Sequence, residues 1–264
     1  MPELPDVEIY KIYMNSTSLH QKIENAEVLE PSLLGQVSSR SLQMRLKNRE
    51  FEEVRRHGKY LFSKMDKNEW LILHFGMTGF LKYYKNEEQA PGHIRLLIHF
   101  DNGYHLAYDC QRKLGLIDLT ANPKDFIEKK KLGIDPFGPD FNQSKFRELL
   151  NGRRGAIKSA LMNQQIMAGI GNIYSDEILF HAGIHPASPV KKLKEADFEK
   201  IYREISTVLQ TAIDCRVNPD NFPNDYLLPN RREKEDCPQC GGTIQKETIS
   251  GRSAYFCSRH QKKI

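Results

Sequence analysis

The sequence predicts an α+β chain: a leading helix, an antiparallel β-sandwich or barrel, and a helical second half closed by a small metal-binding hairpin. Three observations carry this. Hairpin turns punctuate short apolar runs in the first half, and helical spacing replaces them after about residue 140. Near the end, Cys237-x2-Cys240 and Cys257-x2-His260 stand sixteen residues apart. With 264 residues, 39% of them hydrophobic and 28% charged, the chain can bury two cores and is too apolar for disorder. No apolar run reaches membrane-spanning length, and the N-terminus lacks a basic region followed by an apolar one, so the expected location is intracellular.

Taken in order, residues 5–19 read as a helix, with Pro5 in the first turn and Val7, Tyr10 and Met14 at helical spacing. From about 25 to 119 the pattern is strand-like. Lys59–Met65 and Glu69–Phe75 flank Asp66-Lys67-Asn68, and Ile94–Phe100 and Tyr104–Tyr108 flank Asp101-Asn102-Gly103. Repeated hairpins favour an antiparallel sandwich or barrel over a βαβ sheet. The stretch 121–140, with Pro123, Pro136, Gly138 and Pro139, reads as a linker. Helices are expected around Phe146–Leu150, at Ala156–Asn163, at Asn172–Ala182 with Asn172 as N-cap, and over 195–213, where Phe198, Ile201, Ile205, Val208, Leu209 and Ala212 form one face. Residues 215–236 read as a loop. The expected domains are therefore 1–120, a linker over 121–140, 141–214, and 215–264.

The net charge of +5 lies entirely in the second half: residues 1–140 carry 20 basic and 20 acidic side chains, residues 141–264 carry 19 and 14. Such a basic half suits either a polyanion partner or a merely solvated face. Five cysteines, three of them crowded near the C-terminus, fit a metal site better than a disulfide framework. The two short pairs have zinc-ribbon spacing, each able to chelate from one turn, with Gly241-Gly242 supplying permissive backbone. Four protein ligands (Cys237, Cys240, Cys257, His260) leave no open position, which makes one structural Zn2+ the expected cofactor. The hairpin between the pairs presents Arg252 as a phosphate finger.

The start, Met1-Pro2-Glu3, carries chemistry of another kind. Removal of Met1 would leave a secondary α-amine, partly neutral near pH 7 because the reference pKa of an α-amino group is about 8. Such an amine can attack an aldehyde carbon and form an iminium, with Glu3 beside it to move protons. Alone, the same three residues are an ordinary N-terminus.

In combination these motifs say more. Pro2-Glu3-Leu4-Pro5, Arg56-His57-Gly58-Lys59-Tyr60-Leu61, His74-Phe75-Gly76-Met77-Thr78-Gly79, Ala168-Gly169-Ile170-Gly171-Asn172-Ile173-Tyr174 and the terminal ribbon occur in that order. The sequence resembles the formamidopyrimidine-DNA glycosylase/endonuclease VIII family of base-excision repair enzymes from residue 2 to residue 262. The resemblance implies a β-sandwich, a helix–two-turn–helix unit over about 144–182, and damaged double-stranded DNA bound in a cleft between domains. It implies a monomer acting in the cytoplasm, at the nucleoid, as a DNA glycosylase and abasic-site lyase. Pro2 would be the nucleophile, Glu3 the proton carrier, Lys59 a phosphate ligand assisting the first elimination, and Arg252 its counterpart in the second. Asn172 would bind phosphate, agreeing with a Gly-x-Gly turn that aims helix N–H groups at an anion. Lys158 and Arg154 would extend that surface. Met77, Arg112 and Leu114 would fill the gap left by the flipped nucleotide, with Leu114 where the family carries an aromatic, and His93 matches a weaker DNA-contact position.

Departures bear on the lesion. His260 replaces a fourth cysteine. Residues 215–236, which close over the flipped base in the purine-specific branch, are short. That leaves oxidised pyrimidines and formamidopyrimidines at least as well supported as 8-oxoguanine. Two other readings share parts of the pattern: a non-catalytic DNA-binding protein on the same scaffold, and an RNA- or ribosome-associated zinc-ribbon protein. The first conflicts with Pro2, Glu3, Lys59 and Arg252 all being present. The second leaves the Pro-Glu start and the Met77/Arg112 wedge unexplained.

Overall fold

The computed structural model describes residues 1–264, which form two compact units: Met1–Pro2 with Asp6–Lys131, and Glu3–Pro5 with Leu132–Ile264. No helix is long and apolar enough to cross a membrane.

The first unit is an antiparallel β-sandwich. Helix α1 (Leu4–Thr17) precedes β1 (Ile23–Val28), α2 (Ser39–Leu46) and strands β2 (Phe51–His57), β3 (Tyr60–Met65), β4 (Glu69–His74), β5 (Gly79–Tyr84), β6 (Ile94–Phe100), β7 (His105–Cys110) and β8 (Leu116–Thr120). One sheet has the order β1-β6-β7-β5 and the other β2-β3-β4-β8. Ile23, Leu96, Ile98, Phe100 and Leu106 of the first meet Val54, Leu61, Leu71, Leu73 and Ile117 of the second in one core, which Val7 and Met14 of α1 also enter. The opposite face of the second sheet buries Phe62, Trp70 and Ile72 against Phe126.

Phe126 belongs to α3 (Pro123–Lys129), so the expected linker is partly helical. Its start signals are in the sequence: the Asn122 side chain accepts from the Lys124 N–H, and Pro123 needs no partner at the first turn. The change of unit falls between Lys131 and Leu132. Helix α2 interrupts the stretch expected as strands alone. It offers the core only Leu42 and Leu46, one turn apart, its third apolar side chain, Met44, being exposed, and Ser38 caps it.

The second unit packs α4 (Gln143–Leu150), α5 (Ile157–Met162), α6 (Asn172–His181) and α7 (Glu195–Asp214) around Phe146, Leu150, Ile157, Leu161, Ile178, Ile201, Ile205 and Leu209. Two turns separate α5 from α6, and the Gln164 amide stitches them. Its Nε2 donates to the carbonyls of Met162 (2.8 Å) and Ile170 (2.7 Å), and its Oε1 accepts the Gly169 N–H. Residues 215–236 carry two short 3-10 turns, Pro219–Asn221 and Leu228–Asn230, and bury Phe222, Tyr226 and Leu227. Strands β9 (Gln245–Ile249) and β10 (Arg252–Phe256) form the closing hairpin.

Candidate functional site

Glu3 precedes α1 in sequence and is 1% exposed. Its carboxylate accepts three backbone N–H groups at the start of α6: Gly171 (2.7 Å) and Tyr174 (3.3 Å) on Oε2, and Ile173 (2.8 Å) on Oε1. The Leu4 N–H donates to the Gly169 carbonyl beside them. A helix start collects unpaired donors and a partial positive charge, and a carboxylate satisfies both. Hydrogen bonds to a charged acceptor contribute about 1.5–3 kcal/mol each, so the residue next to Pro2 is firmly placed. Two sequence expectations change here. The N-cap of α6 is Gly171, with Asn172 the first helical residue, and the exposed-amide phosphate nest is instead occupied by the protein's own carboxylate. Pro2 itself is half-buried.

Asn172 keeps a distinct signature, because its Oδ1 is buried without a hydrogen-bond partner. Lys158 is placed differently from the expectation. It is 0% exposed, and its Nζ donates to Asp176 Oδ1 (2.5 Å), Ser175 Oγ (3.0 Å) and the Asn172 carbonyl (3.1 Å). The side chain fills the α5–α6 interior, where an apolar helix face carries one lysine for one aspartate, and it offers nothing to a DNA surface. Arg154, in the exposed turn before α5, remains on the surface.

Lys59 sits at the tip of the β2–β3 hairpin, where His57 pairs with Tyr60 and Gly58 takes φ +56°. A two-residue turn of this kind requires glycine at its first position, and it lifts the next side chain to the tip. His74, one strand away opposite Tyr60, is neutral: burial, then the charges of Lys59 and Lys130, lower its pKa to about 4. Its Nδ1 accepts the Gly76 N–H at 3.3 Å. A histidine whose folded pKa lies below its unfolded value contributes stability above about pH 6.5, and that stability is lost as pH falls toward 4, at up to about 1.4 kcal/mol per pH unit. Chemical denaturation between pH 7 and 5 should therefore show a decline that His74→Gln reduces. An unchanged slope in the variant would contradict the assignment.

Met77, Arg112 and Leu114, the residues expected to act as a wedge, occupy adjoining loops of the first unit. Gly76 has φ +58°, and a Cβ there would come within 2.5 Å of the Leu114 carbonyl, so glycine allows the Met77 loop to lie against the Leu114 loop. The Arg112 N–H donates to Thr78 Oγ1 at 3.1 Å. Met77 is half-buried, Arg112 is exposed, and Leu114 is 52% exposed, a large apolar side chain held in solvent. His93 is exposed, and its N–H donates to Asp109 Oδ2.

In the ribbon, the Sγ atoms of Cys237, Cys240 and Cys257 lie within 4.8 Å of one another, with Cys240 and Cys257 3.6 Å apart. Tetrahedral bonds of about 2.3 Å put sulfurs about 3.8 Å apart, so the thiols fit a zinc ion. A Cβ on Gly242 would approach the Cys257 sulfur to 3.1 Å, which explains the second glycine. His260 stands outside this thiol cluster, with Nε2 2.8 Å from the Phe180 carbonyl oxygen. That contact makes Nε2 the protonated nitrogen and leaves the lone pair on Nδ1. The hairpin turn, Ser250 (φ +49°) and Gly251 (φ +76°), has the two positive φ values of a type I′ turn and presents exposed Arg252 immediately after it.

Sequence reasoning missed three positions that organise the site. Asp176 and Glu177 are buried on α6, and Arg231 is bound to Asp176. Glu177 accepts the N–H groups of Leu227 (2.8 Å) and Leu228 (2.7 Å), tying residues 215–236 to the helix. The available signal was two adjacent acids within a helix otherwise rich in apolar residues.

A Pro-Glu start with its glutamate fixed on the two-turn helix start, an exposed arginine on a zinc-fitting hairpin, and an exposed apolar loop on a β-sandwich are the arrangement expected of a base-excision repair DNA glycosylase. Comparison with known proteins specifies the family. Residues 1–117 match the formamidopyrimidine-DNA glycosylase N-terminal domain, 132–219 its H2TH domain, and 234–261 the zinc finger found in FPG and IleRS. The formamidopyrimidine-DNA glycosylase of Synechocystis sp. is 34% identical over 100% of this chain and 99% of its own length, and that of Ureaplasma parvum is 34% identical over 99% and 100%. A Lactococcus lactis Fpg complex with DNA containing an abasic site superposes with a TM-score of 0.88, at 30% identity, covering 99% of this chain and 100% of that one. The chain belongs to the formamidopyrimidine-DNA glycosylase family.

Proposed function

We propose that the chain removes an oxidised base from double-stranded DNA and then cuts the abasic strand by two successive eliminations through Pro2. With Met1 removed, the Pro2 nitrogen attacks C1′ of the flipped nucleotide as the glycosidic bond breaks and the base leaves. Glu3 takes the amine proton as the N–C1′ bond forms and passes it to O4′ as the C1′–O4′ bond opens, and the nitrogen becomes an iminium. Loss of a C2′ proton expels the 3′ phosphate. A second elimination expels the 5′ phosphate, and water frees the amine. Lys59 and Asn172 hold phosphate during the first elimination, and Arg252 assists the second. Met77, Arg112 and Leu114 occupy the gap in the duplex. Cys237, Cys240 and Cys257, with His260, would hold a structural zinc ion that fixes the hairpin and lies outside the chemistry. The protein acts as a monomer on chromosomal DNA at the nucleoid.

The observation that carries this reading is the Glu3 carboxylate held by three α6 N–H groups, because it fixes a proton-transfer group next to the nucleophilic residue. For the lesion, the short 215–236 segment, tied down by Glu177 and Asp176, supports formamidopyrimidines and oxidised pyrimidines over 8-oxoguanine. Duplexes carrying each lesion should give kcat/KM for 8-oxoguanine about tenfold or more below the better of the other two. Fastest excision of 8-oxoguanine would overturn the preference, and excision of none would overturn the glycosylase reading itself.

A further inference from the structure

A two-stranded hairpin is marginal alone, and β9 exposes four of its five residues, so the orientation of Arg252 depends on what anchors the ribbon. The structure supplies two polar anchors within the second unit. At the turn, Ser250 Oγ and Ser159 Oγ of α5 are 2.8 Å apart. Along β10, the Tyr255 N–H donates to Asp176 Oδ2 at 3.2 Å. The same oxygen takes Arg231 Nη2 (2.7 Å) and Nε (3.1 Å), while Oδ1 takes Lys158 Nζ (2.5 Å). The Arg231 guanidinium lies 4.5 Å from the centre of the Tyr255 ring. Lys158 and Arg231 both also donate to the Asn172 carbonyl, at 3.1 and 3.3 Å. One buried carboxylate thus joins the start of α6, α5, residues 215–236 and β10.

We infer that Asp176 is a positioning residue for Arg252, locking the β10 strand to the helix start that carries Asn172 so that the two phosphate ligands move as one body. Burial opposes both charges of the Lys158–Asp176 pair, pushing the lysine down and the carboxylate up, and two cations plus an N–H offset this at Asp176. Removing the carboxylate leaves two cations uncompensated, whereas Arg231, partly exposed, can be changed more gently. The inference rests on the reading of Arg252 as the ligand for the second elimination.

The test uses a duplex with one preformed abasic site and three readouts: the ratio of second- to first-elimination product, the borohydride-trapped adduct at Pro2, and the melting temperature with zinc content. Arg231→Gln and Asp176→Asn should lower the product ratio about tenfold or more, since small misplacement of a catalytic group has effects of this size. The Pro2 adduct should stay within about twofold, and Arg231→Lys, which keeps charge but loses the fork, should fall between. If Asp176→Asn does not fold, Arg231→Gln decides. An unchanged ratio, or a parallel loss of adduct and ratio with falling melting temperature, overturns the inference. Arg252→Ala separates the two claims. If it lowers the ratio while Arg231→Gln does not, only the inference falls; if Arg252→Ala leaves the ratio unchanged, the role of Arg252 falls and takes the inference with it.

Discussion

Pro2→Gly is expected to lower single-turnover base excision by about a hundredfold or more, with little change in melting temperature or in affinity for an abasic duplex. Glycine is also small, so Met1 removal proceeds and an α-amine remains. What changes is its kind and its orientation. A secondary amine gives an iminium that is cationic without needing a proton, whereas the imine of a primary amine draws electrons only when protonated. Glycine also loosens the backbone next to Glu3. The Glu3 carboxylate would still sit on α6, since its three N–H partners come from residues 171, 173 and 174. Loss of activity with folding retained therefore isolates the nucleophile. Near-normal excision by Pro2→Gly would mean that another group attacks C1′.

Zinc removal is the second large effect. The ribbon core is small: Phe180, Leu227, Cys237, Ile244 and Cys257 are its buried members, so two of the five are thiol ligands. Metal binding supplies about 10–16 kcal/mol in isolated zinc fingers, far more than a few apolar contacts can replace. Chelation, or Cys240→Ala, should release one zinc per chain, unfold the hairpin with Arg252, and weaken duplex binding by about tenfold or more. The rest of the second unit should persist, because the α4–α7 core excludes the ribbon residues. Metal-indicator titration alongside fluorescence anisotropy would measure both. Full DNA affinity after complete zinc loss would contradict this account.

Much of the fold was legible because its signals are local. Asp101-Asn102-Gly103 announced the β6–β7 hairpin, and the α7 stripe from Phe198 to Ala212 predicted a helix that the structure extends over Glu195–Asp214. The thiol cluster followed from spacing alone. Short elements with few buried residues were less visible: α2 has a two-residue apolar face, and α3 begins with an Asn-Pro pair that equally marks a loop. The site was less legible than the fold because its key contacts span the chain. Glu3 reaches amides about 170 residues later in sequence, and nothing in Pro-Glu-Leu-Pro states that its carboxylate occupies the anion site at Gly171. Lys158 shows the same limit in reverse. A lysine after a Gly-rich basic turn reads as surface until Asp176, 18 residues on, is seen to face it. Pairing between distant charges depends on how helices pack, which sequence spacing does not encode.

The central claim is that the chain works through the amine of Pro2, and borohydride trapping on a duplex with one abasic site tests it most directly. Peptide mass mapping of the adduct is predicted to place the DNA on an N-terminal peptide that begins at Pro2 and lacks Met1. An adduct on a lysine, or tight duplex binding with no adduct, would contradict it.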